Sequence, residues 1–192
     1  MQTEGFLNHN GDVRNLVVYK VSQQISVLTE IFVRRFLPLS SRTVGQMQQA
    51  ARSCKQNIVE GSKAAVTSKE TEIKLTNVAR ASLAELEEDY IDYLLFNGLE
   101  RWVGNHVRLQ QLRVYVRTQA FEEEYIQLGQ RLPAEDFCNL MITLVKQAQY
   151  LLDRMLQVQE QRFLEEGGIR EAMSKARREA RNNRNGPQDN RK

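Results

Sequence analysis

The arginines between Arg101 and Arg117 have the type and spacing that suit phosphate binding. No acidic residue occurs in this stretch. Arg113 and Arg117 are four residues apart and would share one face of a helix, with Arg108 further round. Three side chains there could stack on bases: Trp102, His106 and Tyr115. The stretch predicts a nucleic-acid-binding surface. The alternative is a surface helix whose arginines cover apolar neighbours or pair with the glutamates at 122–124.

A second basic stretch lies at the end of the sequence. Over the whole chain, 27 lysines and arginines against 24 acidic residues give a net charge of +3. Residues 167–192 hold eight basic and three acidic residues, a net charge of +5, whereas residues 1–166 carry −2. Basic arms add sequence-independent affinity for RNA or DNA, although solubilising tails have a similar composition. The candidate nucleic-acid-binding residues here are Arg170, Lys175, Arg177, Arg178 and Arg181.

No pattern in the sequence predicts a catalytic or metal site. A di-iron centre in a helical bundle needs Glu-x-x-His pairs, and neither His9 nor His106 has a glutamate three residues before it. A Gly-x-Ser-x-Gly elbow is missing, and Gly61 lacks the upstream glycine of a phosphate-binding loop. Glu85, Glu88 and Asp92 share one helix face that could hold a cation, but a solvated helix surface is much the commoner explanation of such a face. We therefore expect no catalytic residue, bound metal or cofactor.

Length and composition predict one helical domain in the cytoplasm. A chain of 192 residues with 41% hydrophobic residues can bury a single core, and only three prolines favour helices. No apolar run is long enough to span a membrane, and the first ten residues do not resemble a signal peptide. Cys54 and Cys138 lie on apolar helical stripes, which indicates buried, reduced thiols.

Apolar residues recurring every three or four positions predict the first two long helices. The first ends near Leu37, because Pro38 cannot continue it, and Ser40 or Ser41 caps the second. Gly61 is expected to stop the second helix, since glycine accepts the left-handed backbone of a helix end. The two stripes are Val18, Val21, Ile25, Leu28 and Phe32, and Val44, Met47, Ala51, Cys54 and Ile58.

Two more long helices follow. The third starts after a capping box from Thr67 to Glu70 and ends near Asn97. The last starts at 132–136 and ends at Gly167. Its stripe comprises Phe137, Leu140, Met141, Leu144, Ala148, Leu151, Leu152, Met155 and Val158. Between these two helices, the spacing of Val107, Leu112, Val116 and Ala120 predicts a further helix. Residues 114–116 also have some strand propensity.

These elements predict an all-α protein, an antiparallel up-down four-helix bundle. The bundle occupies residues 13–166, with an extra helical insertion at 98–132 before the last long helix. An irregular leader precedes it at residues 1–12. A basic suffix follows at 167–192, with a short helix first and a disordered end. Trp102 either anchors a subunit contact or plugs the end of the bundle.

Residues 57–62 are Asn-Ile-Val-Glu-Gly-Ser and residues 82–87 are Ser-Leu-Ala-Glu-Leu-Glu, with a capped helix start between them. These two segments resemble the bacterial four-helix-bundle protein family. The resemblance covers residues 13–97 and part of the last long helix, and the basic end resembles the suffix extension of some members. The family includes proteins encoded in intervening sequences of ribosomal RNA genes and the accessory variability determinant of diversity-generating retroelements.

The resemblance implies a homo-oligomer, in some members a pentamer with a basic channel or surface, and a protein partner such as a reverse transcriptase. The insertion at 98–132 departs from the family pattern and could alter that assembly. The resemblance and the arginines together predict a non-enzymatic bacterial protein that binds nucleic acid as an accessory factor, with RNA preferred to DNA. The alternative is a protein–protein interaction adaptor or scaffold with no nucleic-acid role.

Overall fold

The structure, a computed structural model, describes residues 13–184, except the side chains of Glu166, Ile169, Arg170, Ala172 and residues 182–184. A short 3-10 turn, Val13–Asn15, precedes the α-helices. The helices are α1 Val17–Phe36, α2 Arg42–Ala64, α3 Lys69–Phe96, α4 Val107–Tyr115, α5 Gln119–Arg131, α6 Ala134–Glu166 and α7 Ile169–Arg184. This part of the chain contains no strand, so the all-helical prediction is confirmed. The predicted leader and the disordered end of the suffix lie outside the described residues.

The four long helices form the core. Helix α1 packs against α2 and α6, and α3 packs against the same two helices, while α5 covers α1 and α4 covers α6. The predicted stripes supply most of the buried residues, because each turns one apolar face inward. Val158 is the exception: it is 64% exposed near the end of α6. No helix in the described range has the length and apolar character needed to cross a bilayer.

An aromatic cluster joins α1, α3 and α6. The ring of Phe32 lies 4.9 Å from that of Tyr90, 5.0 Å from that of Tyr93 and 5.4 Å from that of Phe137. The Tyr90 hydroxyl shares a 3.0 Å hydrogen bond with Thr29, which satisfies both buried oxygens. These edge-to-face and tilted ring contacts fix the spacing of three helices at the level where α6 begins.

A buried ion pair joins α3 and α6 far from the aromatic cluster. Glu72 is 5% exposed, and its carboxylate accepts hydrogen bonds from Arg162 and, at 3.0 Å, from Gln159. A buried carboxylate is tolerated only when it is paired in this way. The contact therefore fixes the first turn of α3 against the last turns of α6.

The predicted helix boundaries are mostly confirmed. Helix α1 ends before Pro38, and the Ser41 side chain caps α2 by accepting from the Thr43 amide at 3.3 Å. The capping-box prediction was displaced by one residue: Ser68, not Thr67, caps α3 by accepting from the Thr71 amide at 3.2 Å. The sequence correctly predicted that a hydroxyl side chain caps this helix, but it could not distinguish Thr67 from the adjacent Ser68.

The prediction that Gly61 stops α2 was wrong. The helix continues to Ala64, and Gly61 is a buried position inside it with no left-handed backbone. The packing of α3 explains the glycine: a β-carbon there would lie 3.5 Å from the β-carbon of Leu75 and 3.6 Å from the Glu72 carbonyl oxygen. These are ordinary van der Waals distances, so the site would accept one more carbon.

Gly61→Ala is therefore expected to stabilise the protein by roughly 0.5–1 kcal/mol, because alanine removes the entropic cost of a helical glycine. The control is Gly98→Ala at a φ of +63°, where the new side chain is strained and stability should fall. Urea unfolding of both variants measures the difference. Destabilisation by Gly61→Ala similar to that of the control would restore the helix-stop interpretation.

Residues 98–132 form two helices, α4 and α5, rather than the single helix predicted. The predicted apolar face was half correct: Val116 is buried and Leu112 is partly buried, whereas Val107 and Ala120 are exposed. Leu109 and Phe121 are buried instead. No strand forms at 114–116. Gly129 brings α5 close to α1: a β-carbon there would lie 2.6 Å from a methyl group of Leu28. Periodicity failed here because each segment is short and offers few repeats from which a buried face can be identified.

Candidate nucleic-acid interface

The loop between α3 and α4 is attached to α6 by Asn139. This side chain is 2% exposed; its oxygen accepts from the Trp102 amide at 2.8 Å. Its nitrogen donates to the Glu100 carbonyl at 2.9 Å. Gly98 and Gly104 turn the loop with φ of +63° and +59°, a region that favours glycine. The Asn139 side chain thus provides hydrogen-bond partners for two backbone groups of the loop and sets the position of Trp102.

Trp102 is buried within its own chain, as the second of the two predicted roles requires. It is 6% exposed and stacks on His106, with ring centroids 5.2 Å apart and planes 3° from parallel. The guanidinium carbon of Arg108 lies 4.2 Å from the indole centroid, within the range of a cation–π contact. These contacts order the loop before α4 begins.

Arg108, one of the predicted phosphate-binding residues, is already paired. Its guanidinium forms a hydrogen-bonded ion pair with Asp136 and lies 3.9 Å from Glu135. Both acids belong to the first turn of α6. Its pairing with these acids, rather than with the glutamates at 122–124, attaches α4 to α6. Phosphate binding by Arg108 stays a prediction, and a phosphate would have to compete with these carboxylates.

A cleft of about 500 Å³ lies between α4 and α6, and we call it the α4–α6 groove. Its lining includes three buried apolar side chains, those of Leu109, Val116 and Ile142. Eight polar or aromatic side chains also line it: Arg101, Trp102, Arg113, Arg117, Thr143, Lys146, Gln147 and Tyr150. The lining includes no carboxylate. An apolar interior with several cations and an exposed tyrosine is suited to an aromatic anion.

The cations of the groove differ in how they are paired. Glu87, which is 8% exposed, lies 2.6 Å from the Lys146 ammonium and 3.8 Å from the Arg101 guanidinium. The side chains of Arg113 and Arg117 are exposed and make no ion pair or side-chain hydrogen bond with any other residue in 13–184. Glu87 therefore pairs with two of the four cations that line the groove, and the two arginines at 113 and 117 stay available for an external anion.

The structure thus brings Arg113 and Arg117 together in the groove, although Arg117 lies in the turn after α4 rather than on the predicted shared helix face. It also adds residues that the sequence analysis missed. Lys146 and Tyr150 come from α6, about thirty residues later, and Tyr150 is 63% exposed. Their spacing of four on one helix face was the available signal. It was hidden because they border the apolar stripe of α6, which was interpreted only as core.

The predicted basic residues of the suffix lie on α7. Lys175, Arg177, Arg178 and Arg181 are exposed, whereas the side chain of Arg170 is outside the described part. Helix α6 ends at Gly167, whose φ is +68°, and the Lys69 ammonium donates to the Gly167 carbonyl at 3.1 Å. Gly167 follows Lys146 by 21 residues, about 30 Å along a straight helix. The suffix therefore starts well away from the groove.

The predicted acidic face and thiols have no metal-binding or nucleophilic arrangement. Glu85, Glu88 and Asp92 are exposed on α3, and residues 13–184 contain no cluster of three or more side chains that could hold a metal. Cys54 and Cys138 are free and buried, as predicted. Burial raises the pKa of the Cys54 thiol to about 12 and that of Cys138 further, so neither forms a thiolate at neutral pH.

Asp89, on the same helix, should make stability depend on pH. Burial, with smaller contributions from Asp92 and Glu85, raises the pKa of Asp89 from 3.8 to about 6. Because the folded state binds this proton more tightly than the unfolded chain, its contribution is favourable below pH 4 and is lost as pH rises to 6. Asp89→Asn should therefore stabilise the protein at pH 7 by about 1 kcal/mol, allowing for partial exposure.

Urea unfolding at pH 5 and pH 7 measures this effect. The gain from Asp89→Asn should be larger at pH 7 than at pH 5, since the carboxyl is largely neutral at the lower pH. Glu160→Gln, at an exposed position on α6, controls for the loss of one negative charge. An equal gain at both pH values would mean that burial does not hold the Asp89 proton.

Comparison with known proteins adds no functional assignment, because no family model, curated protein or solved structure matches this chain.

Proposed function

We propose that this protein binds nucleic acid without catalysing a reaction, and that RNA rather than DNA is its ligand. The observation that carries the proposal is the α4–α6 groove, where Arg113 and Arg117 are unpaired beside an exposed Tyr150. Arginines neutralise phosphates and release counterions, while tyrosine stacks on any base. The preference for RNA rests on the resemblance to proteins linked with ribosomal RNA genes and retroelements.

A non-catalytic role is consistent with the chemistry of the groove. Its charged residues are arginines and a lysine, side chains that donate hydrogen bonds and carry no acceptor. The thiols lie elsewhere and are held in their neutral form by burial. Binding and charge neutralisation, rather than acid–base chemistry, are what these side chains supply.

The architecture proposed is an antiparallel up-down bundle of α1, α2, α3 and α6, in which α4 and α5 are the insertion. The contacts of α1 and α3 with both α2 and α6 support this arrangement. Membership in the bacterial four-helix-bundle family would add a cytoplasmic homo-oligomer and a partner such as a reverse transcriptase. Because α4 and α5 cover faces of α6 and α1, an oligomer would have to use other faces.

The proposal is tested by fluorescence anisotropy of single-stranded RNA and duplex DNA over a salt series. The full chain is compared with a truncation ending at Glu166, which lacks α7. We expect RNA binding whose affinity falls as salt rises, with part of that dependence lost in the truncation. An unchanged slope would assign the phosphate contacts to the groove alone. No binding by either protein at modest salt would refute the proposal.

A protein–protein adaptor is the second candidate. Exposed apolar residues near the ends of α3 and α1 favour it, since Leu95 is 71% exposed and Phe96 and Leu39 are each 80% exposed. If the protein is an adaptor, a pull-down should recover a protein partner that stays bound after nuclease treatment. Phe96→Ser should abolish that recovery. Recovery of nucleic acid alone would contradict the adaptor function and leave the RNA proposal in place.

A further inference from the structure

Two buried polar atoms of the α4–α6 groove lack partners. They are the indole nitrogen of Trp102, a donor, and the side-chain oxygen of Gln147, an acceptor; neither is hydrogen-bonded to any residue in 13–184. Both residues line the groove, and Trp102 is 94% buried. Unsatisfied buried groups are rare because each loses its bonds to water without replacement. A ligand with an acceptor and a donor on one edge would satisfy both atoms.

The remaining lining of the groove specifies the rest of such a ligand. The apolar side chains of Leu109, Val116 and Ile142 favour a flat hydrophobic body, and the exposed ring of Tyr150 offers a stacking surface. Arg113 and Arg117 favour an attached anion. The volume of about 500 Å³ falls within the usual range for sites that enclose small ligands. A nucleobase with its phosphate has each of these features.

We propose that the α4–α6 groove binds a single unstacked nucleobase of single-stranded RNA, with the adjoining phosphate at Arg113 and Arg117. This inference rests on the proposed function and names its ligand. The base edge bonds to the indole N–H of Trp102 and the amide of Gln147, while Tyr150 stacks on the base. Bases within a duplex are already paired and stacked, so a duplex must open before it can occupy the groove.

Trp102 is the only tryptophan in the sequence, which gives the test a direct signal. Its indole N–H contributes one side-chain cross-peak to a ¹H–¹⁵N spectrum of the full chain. Adenosine, guanosine, cytidine and uridine 5′-monophosphates are titrated separately, with ribose 5-phosphate as the probe that lacks a base. We expect at least one nucleotide to shift the indole peak saturably and to bind about tenfold more tightly than ribose 5-phosphate.

Variants separate the base contacts from the phosphate contacts. Tyr150→Ala and Gln147→Ala should each remove most of the difference in affinity between the nucleotide and ribose 5-phosphate. Both variants should bind ribose 5-phosphate as the wild type does. Tyr150→Phe keeps the stacking ring, and Gln157→Ala removes an exposed glutamine elsewhere on α6, so both should behave as wild type. Circular dichroism and urea unfolding verify that the variants are folded.

The outcomes distinguish this inference from the proposed function. RNA binding without an indole shift, or equal affinities for nucleotide and ribose 5-phosphate, would overturn the base site while phosphate binding survived. Equal affinity for single-stranded and duplex RNA of the same sequence would also overturn it. If neither RNA nor nucleotides bind, the proposed function and the inference fail together.

Discussion

Replacing Arg113 and Arg117 together with alanine is expected to weaken single-stranded RNA binding at least about tenfold. Both side chains are exposed, line the α4–α6 groove and have no partner among the described residues. Losing two phosphate contacts on a single strand should lower the slope of log K against log salt by about 1.4. Stability should hardly change, because neither guanidinium contributes to an ion pair in the folded protein.

The matched control removes the same charge from another surface. Arg52 and Lys55 lie on α2, away from the lining of the groove, so the double alanine variant should alter RNA affinity much less. The double variant Arg113→Lys with Arg117→Lys should retain the salt slope but lose affinity, because lysine lacks the planar fork that binds phosphate. If the α2 variant loses as much affinity as the groove variant, net charge rather than the groove governs binding.

This experiment separates residues that the sequence could not distinguish. Arg108, Arg113 and Arg117 belong to one acid-free run and were equivalent candidates. In the fold, Arg108 is paired with Glu135 and Asp136, acids that lie 27 and 28 residues further on, whereas the other two arginines are unpaired. Composition and spacing show which residues are cationic. Which of them remain free depends on the approach of a second helix, and periodicity carries no information about that.

The fold could be predicted from the sequence more fully than the pairing of the arginines, for a physical reason. Long helices such as α1 and α6 each pack against three others, so their apolar stripes are wide and continuous. Gly61 was misinterpreted because glycine serves helix ends and close helix packing equally well, and only the approach of Leu75 decides between them. Helices α4 and α5 were merged into one because each is short and the turn at 116–118 between them was not recognised.

Only part of the α4–α6 groove could be predicted from the sequence. Arg113 and Arg117 were found because arginine at helical spacing on an acid-free run is a local pattern. Lys146, Gln147 and Tyr150 were missed because they matter only where α6 meets α4. Asn139 was missed for the same reason, since its hydrogen bonds reach backward to a loop 37 to 39 residues earlier. The attachment of that loop is what makes a groove from two adjacent helices.

Asn139→Ala is therefore expected both to destabilise the protein, by about 2 kcal/mol, and to weaken RNA binding. The substitution leaves the Trp102 amide and the Glu100 carbonyl without the side chain that now pairs with them. With the loop released, Trp102 and Arg101 lose their fixed position beside Arg113 and Arg117. Urea unfolding measures the first effect, and RNA anisotropy at a temperature where the variant is fully folded measures the second.

Asn97→Ala is the control, since the Asn97 side chain is exposed and donates only to the Tyr93 carbonyl of its own helix, at 2.8 Å. It should cost less than about 1 kcal/mol and leave RNA binding unchanged. Asn139→Asp gives an independent check: it keeps the acceptor for the Trp102 amide but loses the donor and buries a charge. Its stability should recover at acidic pH, where protonation restores a donor. If Asn139→Ala loses stability but binds RNA normally, the loop supports the fold without shaping the groove, and the contacts must come from α4 and α6 alone.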